Sequence, residues 1–164
     1  MARIAAIISG GQSGVDRAAL DVAIERKIAY RGFVPRGGWA EDFPDPPGLL
    51  ARYSHLAETQ SRDPKVRTEQ NVRAADVTLI IRPGPGAAPS PGTDFTLEIA
   101  KRHGRPCLTV DASDPGSLAE AAAALRDRPG EFSLNVAGPR ESEAPGIYRA
   151  ARRVLEALLD GLES

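Results

Sequence analysis

One cysteine in 164 residues, Cys107, supports no disulfide framework, no Cys-rich zinc site and no CxxC redox centre. Two histidines, His55 and His103, are too few for a His-rich metal site. No charge of one sign dominates: 21 basic residues face 22 acidic ones, which argues against a nucleic-acid binder held by bulk charge and against a polybasic membrane binder. Long hydrophobic runs are missing too. The first apolar run, from Ile4, breaks after Ile8 into Ser9-Gly10-Gly11, too short for a signal-peptide core or a membrane span. A cytosolic location is the expectation. Hydrophobic residues make up 41%, enough for a core, and the length suits one domain spanning residues 1–164. Glycine and proline are plentiful, at 16 and 14, so the domain is rich in loops. No internal repeat is apparent.

The continuous apolar run over Ile4–Ile8 reads as a strand buried on both faces. After the turn Gly10-Gly11-Gln12-Ser13-Gly14, apolar Val15, Ala18, Ala19, Val22 and Ala23 recur at helical spacing. Asp16, Arg17, Asp21 and Glu25 are expected to face outward, with Ser13 as N-cap. Ala29–Val34 reads as a second strand. Residues 36–63 lack a clear period and read as an irregular lid or oligomer segment, with a short helix around Leu49–Leu56. Asp63-Pro64 starts a helix to about Ala74, and Val77–Ile81 is a third strand. Gly92-Thr93 opens a helix ending at Gly104, and Cys107–Val110 is a fourth strand. Leu118–Leu125 is a short helix, Phe132–Val136 a fifth strand, and Ile147–Leu162 a final helix with one apolar stripe. This alternation predicts an α/β fold, a Rossmann-like doubly wound parallel five-stranded sheet with helices on both faces. The expected strand order is 2-1-3-4-5. Its ligand crevice then lies between the turns after strands one and three.

The turn Ser9–Gly14 carries the strongest local signal. Glycines allow close backbone approach, and the following helix start favours an anion, most often phosphate. The sequence is neither GxGxxG, since position 9 is serine, nor a Walker A motif, nor GxSxG. Where a dinucleotide fold wants an acid after strand two, Val34-Pro35-Arg36 stands, and Arg36 suits another anionic group. Gly92 and Thr93 face the first turn across the predicted crevice. Gly138, Arg140 and Ser142 lie at the same sheet edge, with Arg140 equally suited to an anion or to a neighbouring subunit. Arg67 and Asn71, spaced i,i+4, share one helix face. His103 reads as a helix-end cation and Cys107 as a packed thiol. Trp39 is expected to close over a ring or a subunit contact. Glu41, Asp42 and Glu98 are candidates for Mg²⁺ binding or acid/base work.

The runs Ser9-Gly10-Gly11-Gln12-Ser13-Gly14-Val15-Asp16-Arg17-Ala18, Pro35-Arg36-Gly37 with Ala40-Glu41-Asp42, Glu58-Thr59, Arg67-Thr68, Asn71-Val72, Asp76, Thr78-Leu79-Ile80, Gly92-Thr93 and Asn135 through Ser142 resemble the molybdenum cofactor carrier protein family. That family belongs to the Rossmann-like superfamily that includes the lysine-decarboxylase-like LOG proteins. Phe43 stands where that pattern has a glycine, and the loop 83–91 is longer than usual. The resemblance implies a homo-oligomer, dimer or tetramer, that binds the molybdenum cofactor (molybdopterin) or a related phosphate-bearing anion at the glycine turn. Two alternatives stand beside it, the first from the LOG relatives. One is a nucleoside monophosphate phosphoribohydrolase using Glu98 and Arg67, although Pro91-Gly92-Thr93 lacks the double glycine of that signature. The other is a sensor of a nucleotide-derived ligand.

Overall fold

A computed structural model describes residues 1–163. Its elements are β1 (Arg3–Ile8), α1 (Val15–Glu25), β2 (Ala29–Val34), α2 (Leu49–Arg52), β3 (Leu56–Glu58), α3 (Pro64–Ala74), β4 (Val77–Arg82), α4 (Pro91–Arg102), β5 (Cys107–Asp111), α5 (Pro115–Arg126), β6 (Glu131–Ala137) and α6 (Ile147–Glu163). The strands form one six-stranded parallel sheet in the order β3-β2-β1-β6-β4-β5. The fold is the expected Rossmann-like α/β layer, with two differences from the sequence-based expectation.

The sixth strand, β3, extends the sheet beyond β2 and comes from the segment expected to be irregular. That segment is packed. Leu49, Tyr53 and Leu56 are buried with Leu20 and Val34 in a second core. The helix expected there is one turn, Leu49–Arg52.

The second difference is the strand order. Phe132–Val136, expected at the sheet edge, is central: β6 pairs with β1 through Ile8↔Asn135 and with β4 through Thr78↔Asn135. Its alternating Phe-Ser-Leu-Asn-Val pattern resembles a half-exposed strand, yet all five residues are buried. The polar pair survives burial because each finds a partner. Ser133 donates its backbone N–H and its hydroxyl to Asp76 at 2.9 and 3.1 Å, and Asn135 Nδ2 donates to Thr78 Oγ1 at 3.3 Å.

Helices α1, α5 and α6 share one core with the sheet. In α6 the buried positions Ile147, Ala151, Val154, Leu155 and Leu158 follow the helical repeat, and each large side chain contributes about 1.5–3 kcal/mol of burial. Helices α3 and α4 form a separate cluster through Val72, Ile99 and Ala100. Asp63 caps α3 by accepting from the Lys65 amide at 3.0 Å, with Pro64 in the first turn. Among the described residues no helix is long and apolar enough to cross a membrane.

Candidate ligand cavity

A cavity of about 380 Å³ opens beyond the C-terminal ends of the central strands. It lies between the turn after β1 and the start of α4, with the loop after β6 and the start of α3 completing its wall. Gly10, Gln12, Arg67, Asn71, Gly92, Thr93, Gly138 and Arg140, all expected at the site from sequence, line it together.

The remaining expected residues lie elsewhere. Gly11 has φ 72°, and a Cβ there would sit 2.8 Å from Leu49 Cδ1, so it faces the second core. Ser13 and Gly14 border a separate groove with Arg17, Asp21 and Tyr148. Gly14, not Ser13, is the N-cap of α1. Arg36 is exposed, and its amide donates to Ser61 O at 2.9 Å. Ser142 donates its hydroxyl to Glu41 Oε2 at 2.6 Å, and Glu41 Oε1 accepts from the Ser13 hydroxyl. Glu41 is therefore a clamp joining three loops. Glu98, the acid of the hydrolase alternative, has a side chain 60% exposed, pairs with Arg102 at 2.7 Å and does not line the cavity. Among the described residues no group of three or more His, Cys, Asp or Glu side chains is placed to hold a metal ion.

The glycine turn differs chemically from the expected amide cradle. The Gly11 amide donates to Ser9 Oγ at 3.1 Å, the Gln12 amide to Asp16 Oδ2 at 3.4 Å, and the Ser13 amide to Gln12 Oε1 at 3.0 Å. The Val15 amide donates to Pro139 O at 3.3 Å. What the turn offers the cavity is side chains. Gln12 is 4% exposed, its Oε1 also accepts from the Glu41 amide at 2.9 Å, and its Nε2 has no hydrogen-bond partner among the described residues. Two N–H donors on the oxygen fix the carboxamide orientation.

Asp16 and Arg17 are buried, contrary to the expectation that they face outward. Arg17 donates Nε to Gly11 O at 3.1 Å and grips Asp42 with both terminal nitrogens at 2.8 Å, while its guanidinium lies 5.0 Å from the Phe43 ring centre. Phe43 thus has a packing role in place of the glycine in the family pattern. Asp16 lines the cavity at 8% exposure. Burial pushes its carboxyl up to about 6, against the pull of Arg67, the Gln12 amide, Arg17 and Arg140.

The opposing charges come from different elements. Arg67 of α3 is buried and donates Nη1 to Gly10 O at 2.6 Å. Gly10 makes room for it, since a Cβ there would lie 2.6 Å from Arg67 Nη1. Arg140 lies 5.6 Å above the Trp39 ring centre and 4.0 Å from Glu41. Asn71, although it lines the cavity, is committed to structure: its Oδ1 accepts from the Phe33 amide at 2.8 Å and its Nδ2 donates to Phe33 O at 3.0 Å. Thr93 Oγ1 lies 2.6 Å from Ser90 Oγ, which donates to Glu143 at 3.1 Å. Asp16, Ser90, Asn135 and Glu143 are wall residues not placed at the site by sequence reasoning. Of these Asp16 and Asn135 fell within quoted motifs, the run through the first turn and the run that begins in β6. The remaining candidates lie outside the wall. His103 pairs with Glu69 at 2.9 Å at the end of α4, and burial raises the Cys107 thiol.

No curated protein matches the chain. A crystal structure described as "Putative molybdenum carrier protein", from Syntrophus aciditrophicus, shares 38% sequence identity over 96% of each chain with a TM-score of 0.80. The family model for the circularly permutated YpsA SLOG family matches residues 7–159. The resemblance read from the motifs and the geometry of the fold therefore agree, and the chain belongs to the circularly permutated YpsA SLOG family.

Proposed function

We propose that the cavity binds the molybdenum cofactor or a related phosphate-bearing anion and that the protein carries it. Arg67 is the observation on which this rests. A guanidinium this buried ordinarily has a carboxylate partner, because an uncompensated buried charge is costly. Arg67 has one hydrogen bond, to a neutral carbonyl, and among the described residues no carboxylate within ion-pair distance; Asp16 attracts it through space but is itself pushed toward the neutral form by burial. An anion entering the cavity supplies that partner, and Arg140 stands at the same wall as a second cation. The starts of α3 and α4, which also border the cavity, favour the same charge. The volume is in the range of small-molecule sites, roughly 300–1,000 Å³. The name of the 38%-identical relative supports a carrier role.

Calorimetric titration with the molybdenum cofactor and with AMP tests this reading. The wild type should bind the cofactor, and Arg140→Ala should weaken binding about tenfold or more, the scale of one charge-assisted contact. Arg140 is the better probe than Arg67, whose removal would also free the Gly10 carbonyl. Failure of the wild type to bind the cofactor would remove the proposal.

A further inference from the structure

The cavity wall carries carboxylates as well as cations; Asp63 caps α3 and Glu143 accepts from Ser90 and the Arg140 amide, but simple anion binding leaves Asp16 unexplained. Asp16 and Gln12 line the same cavity, the Gln12 backbone N–H donates to Asp16 Oδ2 at 3.4 Å, and Gln12 Nε2 is left without a partner among the described residues. We infer that this pair reads the hydrogen-bonding edge of a 2-amino-4-oxopyrimidine ring, the edge common to pterins and guanine. The inference rests on the reading of the cavity as a ligand site and specifies which part of the ligand meets which wall.

That edge presents, in order, a carbonyl acceptor, a ring N–H donor and an exocyclic amino donor. Gln12 Nε2 donates to the carbonyl. The two Asp16 oxygens accept the two N–H groups, as a carboxylate does with any planar pair of donors. A buried amide hydrogen without a partner is costly, and the ring carbonyl relieves that cost. Adenine matches less well, since it offers one donor beside one acceptor and leaves one carboxylate oxygen unmatched. Phe95, Pro91 and Val136 give the same cavity its apolar surface for ring faces. Placing the ring at the glycine turn also agrees with the internally paired amides of residues 11, 12, 13 and 15. The anionic end of the ligand is then left to Arg67, Arg140 and the start of α4.

The test compares ligands that differ only at the edge. Pterin-6-carboxylate should bind at least tenfold more tightly than lumazine-6-carboxylate, in which a carbonyl replaces the amino group and meets the Asp16 carboxylate. GMP should likewise exceed IMP, which lacks the amino group. Whichever of pterin-6-carboxylate and GMP binds more tightly identifies the source of the ring. Asp16→Asn puts an amide donor where the carboxylate has an acceptor, so the pterin preference should vanish or invert toward lumazine. A gain of lumazine binding cannot come from misfolding. Gln12→Glu keeps the oxygen that the Ser13 and Glu41 amides need and replaces Nε2 with an acceptor, and should weaken pterin and GMP about tenfold.

Equal affinities within both pairs would overturn the edge assignment while leaving the cavity as an anion site. Cofactor binding without measurable binding of any of the four ligands would also overturn it. Failure of all four together with the cofactor would remove both readings.

Discussion

Alanine at position 14 should destabilise the protein by about 3 kcal/mol or more. Gly14 caps α1 with φ 82° and ψ −128°, a conformation that is essentially restricted to glycine. Backbone strain alone accounts for about 1–3 kcal/mol. Collision adds to it. A Cβ there would lie 2.4 Å from Pro139 O, 2.8 Å from the Glu141 nitrogen and 2.9 Å from the Arg140 carbonyl carbon. All three atoms are backbone, so no side-chain rotation relieves the contact. The β1–α1 turn and the loop after β6 must separate, which breaks the Val15 N–H to Pro139 O bond and the Glu141 N–H to Ser13 Oγ bond at 3.2 Å. For a chain of this length the midpoint of thermal unfolding should fall by roughly 6–12 °C. Gly86→Ala separates the two causes, because Gly86 has φ 79° and open space where its Cβ would go. It should lose only the strain component. A Gly14→Ala midpoint within 2 °C of the wild type, or equal to that of Gly86→Ala, would show that the turn does not hold the two loops together as described.

That close approach of two loops marks the boundary of what the sequence made legible. The buried run Ile4–Ile8, the stripe in α6 and the Asp63-Pro64 helix start each follow from local rules, and they suffice for the layer architecture. The place of β6 does not. Ser133 and Asn135 look like solvent-facing positions until Asp76 and Thr78, 57 residues away, are brought beside them. The site shows the same division. Glycine spacing locates the turn, and helical spacing puts Arg67 and Asn71 on one face. Whether the turn's amides are free depends on where Gln12 and Asp16 place their oxygens. Gln12 is held in turn by the Glu41 amide from a segment with no readable period. Asp16 and Arg17 match charged residues on an exposed helix face. They are buried because Arg17 finds Asp42 and Asp16 lies near Arg67, partners set by tertiary structure.

The buried Asp16 should make stability depend on pH in a direction that one substitution can reverse. Burial holds its carboxyl at about 6, above the unfolded-chain value of about 3.9. Between those values the folded protein keeps a proton that the unfolded chain has released, so the contribution of this group to stability is complete below pH 4 and lost as pH rises through 6. About two pKa units correspond to about 3 kcal/mol, withheld from the wild type at pH 7.5. Asparagine is neutral throughout and retains an oxygen for the Gln12 amide. Asp16→Asn should therefore be more stable than the wild type by about 2–3 kcal/mol at pH 7.5, with the advantage shrinking toward zero at pH 4. Urea unfolding at pH 4.5, 6 and 7.5 measures it. An advantage independent of pH, or a loss of stability at pH 7.5, would place the carboxylate outside the buried, cation-facing setting formed by Arg67, Arg17 and Arg140. The same substitution is the one expected to abolish the pterin preference. A single side chain then links two measurements of opposite sign: the ionised carboxylate lowers stability in the empty cavity and raises affinity once two ring N–H donors face it.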